Sequence, residues 1–337
     1  MSQLASHSRQ PNSVEAFEAQ GLIHGLFQHK DILSLDQFTA GDLYRLFTLA
    51  GEMKRLVREH EPSSLLAGYV VSLLFFEPSS RTFGSFASAI KRLGGQTVEI
   101  QNPETASSVN KGESFEDTIR TFAAYSDAIV LRHRISGSAR LAAEVSDIPI
   151  INAGDGNNEH PTQTLLDLLT IHEHFGRLNN LTCLLAGDPL NSRTIHSMIR
   201  GLSLFEGNTV YVLSPEQLRL PRKDVTYWSR RGVRIEEIFS EEDIPERCDL
   251  WYWTRIQKER FASPQEYEEV MRRGFMVTPE LLRARASQHT ILMDPLPRVS
   301  TIDHAVDADE RALYFRSQIR NGLYIRMALL ALLLGRS

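Results

Sequence analysis

The sequence predicts an α/β protein of two domains, each a mostly parallel sheet flanked by helices. Three observations carry that expectation. Short apolar runs alternate with amphipathic segments along the chain, the mark of βαβ units. The runs at 69–76, 128–132, 181–186 and 250–253 are apolar almost throughout, as strands buried on both faces must be. At 337 residues the chain exceeds one small core, which favours two domains.

The elements follow in order. Thr39 and Asp42 form a capping pair that opens the first helix. Its apolar stripe is Leu43, Leu46, Phe47, Ala50, Met53, Leu56 and Val57, at helical spacing. The strand at 69–76 leads into a helix carrying Phe83, Phe86, Ala87, Ile90 and Leu93, which stops at Gly94-Gly95. Strands are expected at 97–100, 128–132 and 148–152, and Ser114 with Asp117 opens a helix between the first two. After a helix at 161–175 the alternation restarts, with strands at 181–186, 209–213, 233–238, 250–253 and 290–293. The last helix, 322–334, is mostly apolar and should be well buried. The join between domains falls near 150–165.

Composition narrows the function. Forty-two acidic against thirty-seven basic residues give a net charge of -5, so the basic excess of a nucleic-acid binder is missing. The longest apolar run, 327–334, is far short of the ~20 residues that span a bilayer, so no membrane partner is expected. The first twenty residues are polar, without the apolar stretch of a signal peptide, and residues 1–24 read as a flexible tail. Cys183 and Cys248 cannot build a disulfide framework; each sits in an apolar run and reads as a buried thiol of a cytoplasmic protein.

Four stretches carry chemistry. In Glu77-Pro78-Ser79-Ser80-Arg81-Thr82 a buried strand ends in a polar turn and a helix begins at once. Free N–H groups and partial positive charge at the helix start, three hydroxyls and the Arg81 fork make a phosphate cradle without a glycine-rich loop. A capped helix with a surface arginine reads from the same letters. The stretch 152–163 repeats the strand–turn–helix arrangement, with Pro161 in the first helical turn and His160 and Gln163 on one face. Ligands of open parallel sheets bind at that edge, although a lone histidine is more often structural. In the second half Gly187-Asp188, Ser192-Arg193-Thr194, Thr254-Arg255-Ile256-Gln257 and Asp294-Pro295-Leu296-Pro297 leave strand ends. Arg193 and Arg255 at one sheet edge suit a dicarboxylate, one fork per carboxylate; alternatively each pairs with a neighbouring acid such as Asp188 or Glu259. Last, 107–113 is a polar loop carrying Lys111, either a plain loop or a lid over a phosphate site.

Taken together and in order, these motifs resemble those of the aspartate carbamoyltransferases of the aspartate/ornithine carbamoyltransferase superfamily. FFEPSSRT is similar to their carbamoyl-phosphate signature. NAGDGNNEHPTQTLLDLLTI is similar to the signature before their hinge, and YWTRIQKER and DPLPR to their aspartate-side loops. The likeness runs from about residue 30 to the end.

The resemblance implies transfer of the carbamoyl group of carbamoyl phosphate to L-aspartate in pyrimidine synthesis, with no cofactor and no metal in the catalytic chain. It implies that Ser79, Ser80, Arg81 and Thr82 bind the phosphate, that Arg132 bridges phosphate and carbonyl, that His160 polarises the carbonyl, and that Gln163 holds the carbamoyl nitrogen. Ser107 and Lys111 would reach in from a neighbouring subunit of a homotrimer with shared sites. Arg193, Thr194, Arg255 and Gln257, with Lys111, would bind aspartate, and the carbonyls of Pro295 and Leu296 would orient the substrates. The expected division is a carbamoyl-phosphate domain of 25–160 plus 320–337, with the C-terminal helix packing back on it, and an aspartate domain of 161–319. Regulatory or dihydroorotase-like chains are possible partners of such enzymes.

Asp294 departs from the pattern, which has histidine there; a carboxylate beside the amine site would repel a dicarboxylate unless it is paired. A sister carbamoyltransferase with another amine acceptor is therefore the alternative, and a catalytically silent homologue a further one. A nicotinamide dehydrogenase lacks support, because no Gly-x-Gly-x-x-Gly loop is present.

Overall fold

Two sheets, parallel throughout, organise the chain. The computed structural model describes residues 21–103, 112–256, 258, 261, 263–271, 275–299 and 301–336. The first sheet contains β1 (Val70–Phe75), β2 (Gln96–Gln101), β3 (Ala128–His133) and β4 (Ile150–Asp155), in the order β2-β1-β3-β4. The second contains β5 (Thr182–Ala186), β6 (Thr209–Leu213), β7 (Arg234–Ile238), β8 (Leu250–Trp253) and β9 (Ile291–Met293), in the order β7-β6-β5-β8-β9. Both orders reverse direction once, between β1 and β3 and between β5 and β8. Loops leaving the carboxyl ends of those strand pairs diverge and leave a crevice there.

Helices cover the faces: α1 (Ala40–Arg58), α2 (Ser80–Arg92), α3 (Phe115–Ala123), α4 (Ser138–Val145), α5 (Pro161–Phe175), α6 (Arg193–Leu202), α7 (Arg222–Arg230), α8 (Pro264–Met271), α9 (Pro279–Arg285) and α10 (Ile319–Leu333). Local chemistry sets their starts. Thr39 and Asp42 close a reciprocal capping box at α1, and the Ser114 hydroxyl accepts the Asp117 N–H at α3. The strands are buried as their apolar letters require: β3, β4 and β8 have no exposed residue. Cys183 and Cys248 are both buried and unpaired, and burial pushes both thiols up, Cys248 to about 12.

The final helix returns to the beginning of the fold. α10 packs against α1, α2 and α5, and its residues from Met327 to Leu334 are buried. It starts at Ile319, three residues before the sequence-based boundary, because a π-helical turn at Tyr314–Gln318 feeds directly into it. A second seam also joins the halves. Arg200 of α6 reaches Asp36 at 2.7 Å and Glu159 at 3.4 Å, and Arg231 reaches Asp36 at 3.0 Å. The Glu159 carboxylate also accepts the Leu35 N–H at 3.2 Å. Burial raises the Glu159 pKa against the pull of Arg200.

Candidate active site

The crevice is a cleft of about 1020 Å³ between the carboxyl edges of the two sheets. Every described candidate residue lines it: Ser79, Ser80, Arg81, Thr82, Arg132, His160, Gln163, Arg193, Thr194, Arg255, Pro295 and Leu296. Ser107, Lys111 and Gln257 lie outside the described residues.

On the first sheet's side the strand–turn–helix at the end of β1 forms the floor. Ser79 is the N-cap of α2, yet its hydroxyl caps nothing, and no acid occupies the first turn. The N-terminal N–H groups and the hydroxyl are thus left for an anion. Arg81 stands beside them. Arg132, leaving the end of β3, is buried; its Nη1 donates to the Ala153 carbonyl at 3.2 Å, and its Nε is a buried donor with no acceptor among the described residues. Burial first, then the neighbouring Arg193, lowers its pKa to about 10, which still leaves it cationic at neutral pH.

Glu77 is a site residue that sequence reasoning quoted without giving it a role. Its two oxygens meet Arg132 Nη2 at 3.3 Å and Arg193 Nη1 at 3.2 Å, and so tie an arginine of each half to one carboxylate. Arg193 also donates to the Gly156 carbonyl at 2.7 Å. The two guanidinium groups crowd the backbone at Gly154, where φ is +116° and an added Cβ would stand 3.1 Å from Arg132 Nη1 and 3.2 Å from Arg193 Cζ. Only glycine fits that turn.

His160 caps α5, with Pro161 in its first turn as the sequence suggested. Its backbone N–H donates to Ser197 Oγ of α6 at 3.0 Å, and its Nδ1 lies 3.4 Å from the Thr162 hydroxyl. Burial, with Arg132, Arg193 and Arg326 around it, holds the imidazole well below its ordinary range. It is therefore a neutral donor at physiological pH, not a cation. Gln163, one turn on, donates through Nε2 to Asp167 Oδ1 at 3.0 Å.

The second sheet supplies the opposite wall. Ser192 and Thr194 hydroxyls lie 3.0 Å apart at the start of α6. Thr254 and Arg255 leave β8, with Thr254 N–H and Oγ1 both donating to the Ala186 carbonyl at the end of β5. Asp294, the residue expected to disturb a dicarboxylate, is buried and turned into its own loop. Oδ1 accepts the Leu296 N–H and Oδ2 accepts the Thr301 hydroxyl at 3.1 Å. Burial raises its pKa to about 6 against those two bonds. Arg326, on the apolar helix α10, was also missed in the sequence. It is buried over the Phe86 ring at 5.0 Å, donates to Ser85 Oγ at 3.0 Å and lines the cleft.

The electrostatics follow from this inventory. Among the described lining residues are six arginines (81, 132, 134, 193, 255 and 326) and two carboxylates, Glu77 and Asp294, both of them engaged. A cationic pocket in a protein of net charge -5 concentrates small anions. Among the described residues no cluster of three His, Cys, Asp or Glu side chains is arranged to hold a metal ion.

The carbamoyl-phosphate-binding domain model of aspartate/ornithine carbamoyltransferases matches residues 30–173, and their Asp/Orn-binding domain model matches residues 179–333. The chain belongs to the aspartate/ornithine carbamoyltransferase family. Among relatives in this family, the multifunctional protein pyr1-3 of Dictyostelium discoideum is 46% identical over 306 residues, 91% of this chain but 14% of that protein's length. The aspartate carbamoyltransferase catalytic subunit of Methanopyrus kandleri is 45% identical over 309 residues, covering 92% of this chain and 98% of that one. The crystal structure of Trypanosoma cruzi aspartate transcarbamoylase in complex with carbamoyl phosphate and aspartate superposes with a TM-score of 0.85 at 38% identity, covering 94% of this chain and 99% of that one.

Proposed function

We propose that this chain transfers the carbamoyl group of carbamoyl phosphate to the amine of L-aspartate, giving N-carbamoyl-L-aspartate and phosphate in pyrimidine biosynthesis. The observation that carries the reading is the junction of an anion cradle on one sheet (Ser79 to Thr82 with Arg132) and a two-arginine wall on the other (Arg193 and Arg255) across one cleft.

In this reading Ser79, Ser80, Arg81 and Thr82 hold the phosphate, and Arg132 spans phosphate and carbonyl through its unpartnered Nε. Arg193, Thr194 and Arg255, together with Gln257 and Lys111, take the acceptor's carboxylates. The carbonyls of Pro295 and Leu296 orient its amine. The free amine attacks the carbonyl carbon; a C–N bond forms, the C–O bond to phosphorus breaks, and phosphate leaves with the electron pair and takes up the amine's proton. Oxygen gains negative charge on the way. Thr82, Arg132 and neutral His160 stabilise it, each well-placed donor contributing ~3–4 kcal/mol, and alignment of two bound substrates contributes much of the rest. Asp294 holds its oxygens on donors of its own loop, and the nearby Arg81 and Arg298 pull against its charge, which supports an acidic acceptor.

The division into residues 25–160 with 320–337 for carbamoyl phosphate and 161–319 for aspartate belongs to the same proposal, with α5 on the seam, packed on both α10 and α6. So does a cytoplasmic homotrimer whose sites borrow Ser107 and Lys111 from the adjacent chain. Two free thiols suit a reducing compartment. No described helix is long and apolar enough to cross a membrane.

The test is a carbamoylation assay with carbamoyl phosphate and a panel of amines. Aspartate should be carbamoylated and succinate should compete with it. Transfer to another amine but not aspartate would establish the sister enzyme, and no transfer at all the silent homologue. Shared sites are tested by mixing inactive Lys111→Ala and His160→Ala chains: reassembled mixtures should regain activity, and mixtures that stay inactive despite chain exchange would refute sharing.

A further inference from the structure

Beneath the cleft lies a carboxylate with no counter-ion bonded to it among the described residues. Asp167, on the second turn of α5, is completely buried. Gln163 Nε2 donates to its Oδ1 at 3.0 Å and Gln318 Nε2 to the same oxygen at 2.7 Å, while the Tyr252 hydroxyl donates to Oδ2 at 2.9 Å. An ionised carboxylate only accepts hydrogen bonds, so each amide must offer it the nitrogen end and turn its oxygen the other way. For Gln318 the outcome is fixed twice over, because its Oε1 accepts the Asp294 N–H at 3.2 Å. Gln163 itself lines the cleft, and with its Nε2 given to Asp167 the amide has its Oε1 to offer there.

We propose that Asp167 is a positioning residue that fixes the polarity of the Gln163 amide, so that the cleft presents an acceptor and selects a reacting carbonyl that carries N–H. The proposal rests on the carbamoyl-transfer reading and deepens it. A carbamoyl group satisfies the Gln163 oxygen with its NH2. An acetyl group of the same shape brings a methyl and leaves that oxygen unpaired, and an unpaired polar group in a closed site is penalised. Asp167 touches no substrate. It acts through Gln163, and through Gln318 it sets the loop bearing Pro295 and Leu296 by the same rule.

The test compares carbamoyl phosphate with acetyl phosphate by calorimetry at pH 8, above the value of about 7 to which burial raises Asp167. Wild type should prefer carbamoyl phosphate. Asp167→Ala releases the amide and should cut the ratio of the two affinities by about 2- to 12-fold, the worth of one neutral hydrogen bond. A merely structural role would weaken both ligands together and leave the ratio alone. Asp167→Asn should keep the preference, since its oxygen can replace Oδ1 while its NH2 turns to Tyr252. Gln163→Leu, which removes the acceptor, should abolish the preference without weakening acetyl phosphate. If Asp167→Ala does not fold, the Asn and Leu variants decide: a preference lost in Asp167→Asn or kept in Gln163→Leu overturns the proposal. Wild type that binds neither ligand overturns the carbamoyl-transfer reading itself. Wild type that prefers carbamoyl phosphate, with the preference intact in Asp167→Ala, overturns only the role of Asp167.

Discussion

Replacing Gly187 by alanine should damage the acceptor wall through the backbone alone. Gly187 follows β5 at φ +126°, a region closed to side-chain-bearing residues. An added Cβ would overlap the carbonyl oxygen of Thr254 and lie 2.9 Å from its carbonyl carbon. Backbone cannot swing aside, so the ends of β5 and β8 must part. The strained φ costs about 1–3 kcal/mol. Parting gives up the two hydrogen bonds from Thr254 to the Ala186 carbonyl, at 2.8 Å and 2.9 Å, each worth roughly 0.5–1.5 kcal/mol. The expected loss is therefore about 2–6 kcal/mol in urea unfolding. Because Arg255 follows Thr254, succinate affinity should fall far more than phosphate affinity, which depends on the other sheet. A loss under about 1 kcal/mol with succinate binding unchanged would show that the close approach is not real, or is readily relieved.

Three further outcomes follow from the same geometry. Arg81→Ala should weaken carbamoyl phosphate binding about 10- to 150-fold, the worth of a charged hydrogen-bond partner; calorimetry within threefold of wild type would remove Arg81 from the phosphate cradle. For His160 the depressed pKa means that the native state declines a proton the unfolded chain accepts, so its contribution to stability is lost as pH falls below 6.5. Urea unfolding of His160→Gln should then gain on wild type by up to ~1.4 kcal/mol per pH unit between pH 6.5 and 5, and a constant difference across that range would contradict the burial of a neutral imidazole. Arg200→Met leaves the Glu159 carboxylate buried without its cation and should cost about 3–5 kcal/mol; a loss below 1 kcal/mol would mean that this seam holds little.

What the sequence revealed and what it hid divide along a physical line. Strands buried on both faces announce themselves by unbroken apolar letters, and helix starts by side chains that bond their own backbone, as Thr39 with Asp42 and Ser114 with Asp117 do. The cleft residues were legible because they sit in the short polar stretches that leave strand ends, within about eight letters of an apolar run. Partners distant in the chain were not. Glu77 meets an arginine 116 residues away, and Asp167 meets Gln318 across 151. On a helix, Asp167 reads as an ordinary polar position, and Arg326 as an interruption of an apolar face. Only their burial against other elements reveals them. A signal did exist: an Asp four residues after Gln163 shares its helix face. The surroundings of Asp294 were equally hidden: the Thr301 hydroxyl that it accepts lies seven residues on, across a loop whose shape no periodicity encodes.

The return of α10 to the first sheet reverses the order in which the halves can mature. During synthesis the amino-terminal half leaves the ribosome first, and domains commonly fold in that order. Here the apolar faces of α1 and α2, with Leu43, Leu46, Phe86 and Ile90, wait for a cover made some 300 residues after the first of them, at Met327 to Leu333. Strands β5 to β9 are all in hand before that cover exists. The later-made half can thus reach its native packing while the earlier one is still open. A nascent chain stalled anywhere before α10 exposes the oldest part of the molecule, the surface that the fifteen residues of that helix cover.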